Sequence, residues 1–231
     1  MNGTAPDYFL HSAATGGTLS SVGRYAKKYS LPTEIVLADT QYSLYYDYVT
    51  TGRFDGRRVT ANAQLARKEL TRLQEKWVPP GVAGTGFGPL WGLPVRGATS
   101  SLVSAVVDRV LKVPDLASVA AMQLLSERYG ISGGPSTGLN FIGALEVGAR
   151  VGRAGRQVTV ATLICDSGRN YAPTYYNRTW LGEHFQPHGG LAALDCWRRV
   201  IADWLIGAGE DDGGDGLLGR GSDRCGTARS I

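Results

Sequence analysis

The sequence predicts an α/β protein with an open, mostly parallel sheet flanked by helices. Three observations carry that prediction. Short apolar runs suited to buried strands recur at Tyr8-Phe9-Leu10, at Glu34 to Asp39 and at Val158 to Ile164. Stretches of helical periodicity separate them. Glycine or polar turns follow these runs, at the sheet edge where open α/β sheets bind ligands. With 231 residues and 43% hydrophobic content, the chain has enough apolar material for a substantial core.

The first strand leads into Ala14-Thr15-Gly16-Gly17-Thr18. Gly16 and Gly17 let the backbone bend and approach a ligand closely. Thr18 is placed to cap a helix that starts at Leu19. Leu19, Val22 and Ala26 share one face of that helix, Lys27 and Lys28 fall in its last turn, and Pro32 stops it. Such a turn can be an anion site, because orphan amides and the positive helix end point the same way. It can equally be a βα turn whose glycines ease packing. No Gly-Lys-Ser/Thr follows, which excludes the phosphate loop of nucleoside-triphosphate hydrolases, and the three-glycine dinucleotide fingerprint is absent.

Glu34 to Asp39 reads as the second strand of a βαβ unit, with Asp39 at its ligand-facing end as a loop acid or a ribose holder. The tyrosine-rich run Tyr42 to Tyr48 packs a helix or loop against the body, or lines a pocket. Residues 57–76 read as a solvated amphipathic helical insertion. The Gly/Pro-rich stretch Val78 to Pro89 is a loop of the length that often binds ligands. Val110 to Val113 is a short strand, and Asp115 is placed to cap a helix from Leu116 to Tyr129 that ends at Gly130. Ile131 to Gly138 is a second glycine turn, opening an almost wholly apolar and therefore buried helix. The last strand, Val158 to Ile164, runs into the turn Cys165-Asp166-Ser167-Gly168. An amphipathic helix spans 190–206, and residues 207–231 are Gly- and Asp-rich, which predicts a disordered tail.

The net charge of +4 is mild and no basic stripe carries interleaved aromatics, so nucleic-acid binding has little support. Cys165, Cys196 and Cys225 form no CxxC pair, which argues against a disulfide framework and a zinc site. His11, His184 and His188 are too scattered to suggest a metal. No apolar run reaches the ~18 residues of a membrane helix, and no signal peptide opens the chain. Cytoplasm is the default compartment.

Together the three turns carry a resemblance. Ala14-Thr15-Gly16-Gly17-Thr18 resembles the Gly-Thr-Gly-Gly-Thr phosphate loop of the cysteine synthase / cystathionine β-synthase family, pyridoxal-phosphate enzymes of the tryptophan-synthase-β-like fold. Gly133 to Asn140 is similar to that family's second glycine turn. Leu163 to Tyr171 is similar to the segment whose serine faces the pyridine nitrogen, and Tyr175-Tyr176-Asn177 follows as in cysteine-synthase-like members. The match covers about 7–55 and 78–190.

The resemblance implies that residues 1–206 are the C-terminal, cofactor-side part of the large domain. Thr15, Gly16, Gly17 and Thr18 would bind the cofactor phosphate, and Ser167 the pyridine nitrogen. A neutral hydroxyl there leaves the ring a weaker electron sink than a carboxylate would, which suits β-elimination and β-replacement. Gly84, Thr85 and Gly86 would border an amino-acid substrate: serine, O-acetylserine or cysteine. A homodimer is implied. The family's cofactor-holding lysine and its substrate-carboxylate loop lie well upstream of the phosphate loop, and only a dozen residues, none of them lysine, precede the loop here. The expectation is a fragment with no assignable catalytic lysine and no activity of its own. The alternative is a truncated homologue that binds a phosphate compound or a partner.

Overall fold

The computed structural model describes residues 4–53, 81–87, 100–152, 155, 157–207 and 216–226. The expected insertion at 57–76 lies outside them. Among the described residues, four strands form one parallel sheet in the order β3-β2-β1-β4. They are β1 (Tyr8–Ser12), β2 (Glu34–Thr40), β3 (Arg109–Val113) and β4 (Val160–Ala161). The register sets Leu10 beside Val36 and Ala38 beside Leu111.

Alternation along the strands feeds two cores. Tyr8, Leu10, Val36 and Ala38 belong to the larger one, with helices α3 (Asp115–Tyr129), α4 (Pro135–Gly152), α5 (Arg178–His184) and α6 (Gly190–Leu205). Phe9, Ile35 and Leu37 belong to the other, with α1 (Gly17–Lys28) and α2 (Tyr45–Thr51). Helices on both faces are what a parallel sheet of apolar strands requires. α3 is buried on every side from Asp115 to Leu125, and α4 lies against it. Gly130 ends α3 in the left-handed conformation, as its position predicts.

The fourth strand is much shorter than the apolar run Val158 to Ile164 predicts. β4 pairs with β1 only at Tyr8–Val160 and Phe9–Ala161. The ladder bond Tyr8 N–H to Thr159 C=O, 3.1 Å, sets a parallel pattern that continues at Leu10 N–H to Ala161 C=O and would then join Ser12 N–H to Leu163 C=O. The Asn140 carboxamide from α4 occupies that place. Its Oδ1 accepts from Ser12 N (2.7 Å) and its Nδ2 donates to Leu163 O (3.0 Å). One side chain thus bridges and ends the ladder, and Leu163 and Ile164 are exposed beyond it.

The tail is a second correction. A helix, α7 (Leu217–Cys225), docks on α6. Leu217 and Leu218 are buried, and Gly221 lies so close to the buried Trp197 ring that a Cβ would stand 1.9 Å from it. Cys196 and Cys225 form a disulfide across α6 and α7, against the expectation from cysteine spacing. Composition missed this helix because two leucines and a glycine suffice when a tryptophan 20 or more residues away supplies the surface. Glu146 of α4, fully buried, accepts from Leu218 N (3.0 Å) at the α7 N-terminus and also pairs with Arg150. Glu146→Ala is expected to cost about 2–3 kcal/mol, since a buried amide loses its charged acceptor. Urea unfolding, with hydrogen exchange at Leu218, measures it.

Candidate functional site

A cleft of about 300 Å³ opens at the C-terminal ends of β1 and β4. That is the lower end of the range for small-molecule sites. Its lining runs continuously from His11 to Leu19 and continues through Ala83, Gly84, Ser136, Cys165, Asp166 and Tyr171. All three turns singled out in the sequence therefore meet here. Thr15, Gly16, Gly17, Thr18 and Gly84 line it.

The wall formed by 13–19 is organised by its carbonyls. Ala13 C=O accepts from Gly86 N–H at 2.7 Å, and Thr15 C=O from Ser101 N–H at 2.6 Å. Ala14 C=O accepts from the Tyr45 hydroxyl at 2.8 Å, and Gly16 C=O from Ser20 N–H at 3.0 Å. Four successive acceptors are thereby satisfied by protein donors. The helix that follows starts at Gly17, not Leu19. Gly16 is its N-cap in the left-handed conformation, φ 86°, and no side chain caps it, Thr18 included. The first amides of a helix have no intrahelical acceptor. Here they stand at the positive end of a 12-residue helix whose first turn holds no acid, and Thr15 and Thr18 are exposed beside them. Donors in excess, with acceptors already engaged, fit a phosphate group.

Tyr45 belongs to the tyrosine-rich run. It is fully buried, stacked on Phe87 at 5.2 Å, and its hydroxyl also meets Ser100 Oγ at 3.0 Å. Burial pushes its phenol up to about 12, so it remains a donor. Tyr45→Phe is expected to weaken anion binding about tenfold through the unsatisfied Ala14 carbonyl, with little change in fold; titration with inorganic phosphate reads it.

The facing wall joins the second and third turns. Gly134 N–H donates to Asp166 C=O at 3.0 Å, and a Cβ at Gly134 would stand 2.2 Å from Asp166 Oδ1. Glycine there lets Asp166 reach the cleft. Tyr171 donates its hydroxyl to Asp166 Oδ2; burial and that carboxylate hold the phenol well above its usual range. Ser167 lies one residue beyond the lining: it is exposed, and its Oγ accepts from Arg169 N–H at 3.3 Å to cap a short 3₁₀ turn. Thr85 and Gly86 also lie behind the lining. Thr85 Oγ1 donates to Val82 O at 2.8 Å, and Gly86 braces Ala13.

From the sequence, His11 counts only as an ordinary polar residue. It is 9% exposed, lines the cleft, and meets Asn140 Nδ2 through Nδ1 at 3.0 Å. Its partner sits 129 residues away, so no local signal marks it. Asp39, expected as a loop acid or ribose holder, is 1% exposed and accepts from Tyr46 N–H at 2.9 Å. Asp115, expected as a cap, sits inside α3 after the N-cap Pro114 and accepts from Thr40 Oγ1. Among the described residues no lysine lines the cleft, and no group of three His, Cys, Asp or Glu is placed to hold a metal. Lys27 pairs with Asp108, and Lys112 lies over the Tyr46 ring at 5.4 Å. None of the described helices is long and apolar enough to cross a membrane.

The profile of the pyridoxal-phosphate dependent enzymes matches residues 1–166. A Caenorhabditis elegans protein, whose assigned name marks it only as pyridoxal-phosphate dependent, is 41% identical over 220 residues, 92% of this chain and 46% of its own. The L-cysteine desulfhydrase Cds1 of Mycobacterium tuberculosis is 31% identical over 195 residues, 84% of this chain and 46% of its own. Cysteine synthase 2 of Schizosaccharomyces pombe is 28% identical over 176 residues, 76% of this chain and 40% of its own. The chain thus spans about half the length of these relatives. A profile match over most of the chain, on a fold whose three turns close around an uncapped helix end, shows that it belongs to the pyridoxal-phosphate-dependent enzyme family, with cysteine synthases and a cysteine desulfhydrase among its relatives.

Proposed function

We propose that this chain forms the phosphate side of the cofactor site in an enzyme of β-elimination or β-replacement, acting on cysteine, serine or O-acetylserine. The observation that carries the reading is the cleft wall at 13–19, with four engaged carbonyls and an uncapped helix end. Pyridoxal phosphate, when bound, supplies an electron sink that stabilises negative charge at the substrate Cα, so that a group on Cβ can depart. The amides of Gly17, Thr18 and Leu19, with the hydroxyls of Thr15 and Thr18, would hold its phosphate. Gly16 keeps the turn in the conformation that presents them. Asp166 and Tyr171 form the facing wall, where their mutual hydrogen bond fixes both side chains. Gly84 borders the cleft from the segment that Gly86 N–H ties to Ala13 C=O, just after β1, on the side assigned to substrate. Support for sulfur amino-acid chemistry comes from the desulfhydrase and synthase relatives.

The chain alone binds the cofactor reversibly and does not turn over, because no described lysine lines the cleft. The test is incubation with pyridoxal phosphate, borohydride reduction, intact mass and peptide mapping, alongside an assay for sulfide release from cysteine. Reversible binding without a pyridoxyl-lysine, and without sulfide, is the expected outcome. One stoichiometric lysine adduct, or turnover, overturns the inactivity of the isolated chain.

A further inference from the structure

The Asn140 bridge fixes more than the end of the sheet. Ser12 N–H can only donate and Leu163 C=O can only accept, so the carboxamide has one orientation: Oδ1 toward Ser12, at 2.7 Å, and Nδ2 toward Leu163, at 3.0 Å. The same Nδ2 stands 3.0 Å from His11 Nδ1, with a longer contact to Cys165 Sγ at 3.5 Å. Nδ1 therefore faces a donor and must accept. That places the imidazole proton on Nε2. Burial lowers the His11 pKa, which keeps the ring neutral and the tautomer single. Nε2 has no partner among the described residues, and His11 lines the cleft while nine-tenths buried. Two backbone groups of a broken ladder thus set a lone N–H donor beside the anion-binding turn.

We propose that His11 is a ligand-recognition residue, whose Nε2–H donates to an acceptor atom on the aromatic ring of the phosphate ester held at 15–18. The inference rests on the cofactor reading above and adds a second point of attachment to it. The phosphate turn grips one end of the ligand. His11 tests the other for a lone pair, so an alkyl phosphate of similar charge satisfies only the first. Asn140 is the positioning residue that selects the tautomer.

The test compares wild type, His11→Leu and His11→Gln in titrations with pyridoxal phosphate and, separately, with inorganic phosphate. Leucine removes the donor; glutamine retains an N–H. The expected result is at least tenfold weaker pyridoxal phosphate binding for His11→Leu, recovery to within about threefold for His11→Gln, and unchanged inorganic phosphate affinity in both. Imidazole nitrogen NMR on the wild-type chain needs no variant to fold. It should show the proton on Nε2 before ligand, and pyridoxal phosphate, but not inorganic phosphate, should shift Nε2. Wild-type affinity in His11→Leu, a parallel loss of both ligands, or an Nε2 signal indifferent to pyridoxal phosphate overturns the role of His11 while leaving the cofactor reading intact. Failure of wild type to bind pyridoxal phosphate overturns both.

Discussion

Gly16→Ala is expected to weaken pyridoxal phosphate and inorganic phosphate binding by about 100-fold or more. Two independent obstacles meet at this residue. Its φ of 86° lies in the left-handed region, which costs a side chain roughly 1–3 kcal/mol. Its Cβ would stand 2.5 Å from Leu102 Cβ and 2.7 Å from the Leu102 backbone nitrogen and Cα. Leu102 cannot retreat: it is 4% exposed, and the segment before it is tied to the turn through Ser101 N–H and Thr15 C=O. The turn must therefore open, and its amides diverge from the arrangement that converges on the cleft. Gly17→Ala is the control for stability, because a Cβ there meets nothing closer than Thr15 Oγ1 at 3.8 Å. Its urea midpoint should stay near wild type while that of Gly16→Ala falls. Unchanged phosphate affinity in Gly16→Ala would mean that the anion binds elsewhere.

The second large effect is on stability against pH. Asp39 and Asp115 are 1% exposed, and Asp39 Oδ1 and Asp115 Oδ2 have no hydrogen-bond partner among the described residues. Burial pushes Asp39 up to about 7, against bonds from Ser43 and Tyr46 and the charge of Lys112. Burial, aided by the Asp39 charge and opposed by the Thr40 bond, pushes Asp115 up to about 7 as well. Unfolded, both titrate near 4. Between about 4 and about 7 the native state binds the more protons, so this contribution to stability is complete below the lower value. It is lost as pH rises through the upper one. The urea midpoint should therefore fall from pH 5 to pH 8, by an amount on the order of 2–4 kcal/mol in unfolding free energy. Asp115→Asn keeps an acceptor for Thr40 and removes one of the two ionisations. It should flatten the slope and raise stability at pH 8. A wild-type profile flat or rising across that range would contradict the assignment.

What the sequence displayed of this architecture was its punctuation. Gly16-Gly17, Gly133-Gly134 and Asp166-Ser167-Gly168 mark chain reversals by local chemistry. The first and third follow β1 and β4 and so share one sheet edge. Gly133-Gly134 instead links α3 to α4, and it joins the cleft through the bond from Gly134 N–H to Asp166 C=O. Hidden features depend on pairs far apart in the chain. Asn140 reads as one polar residue in an apolar helix, yet it ends β4 and orients His11. Tyr45 reads as one tyrosine among four, but its hydroxyl braces Ala14, 31 residues earlier. The α7 helix carries too few apolar residues to stand out, and Trp197 and Glu146, far upstream, provide its seat. Asp115 has the look of a cap because acids favour helix starts; Pro114 takes that place, and the Thr40 hydroxyl draws the carboxylate inward.

The most direct measurement is a pair of titrations of the whole chain, one with pyridoxal 5′-phosphate and one with pyridoxal, which lacks only the phosphate. The turn at 15–18 is held to supply most of the grip. The expected result is pyridoxal binding at least about 100-fold weaker, with inorganic phosphate competing against the phosphorylated form alone. Equal affinity for the two, or no competition by phosphate, would contradict the assignment of this turn as the cofactor's phosphate site.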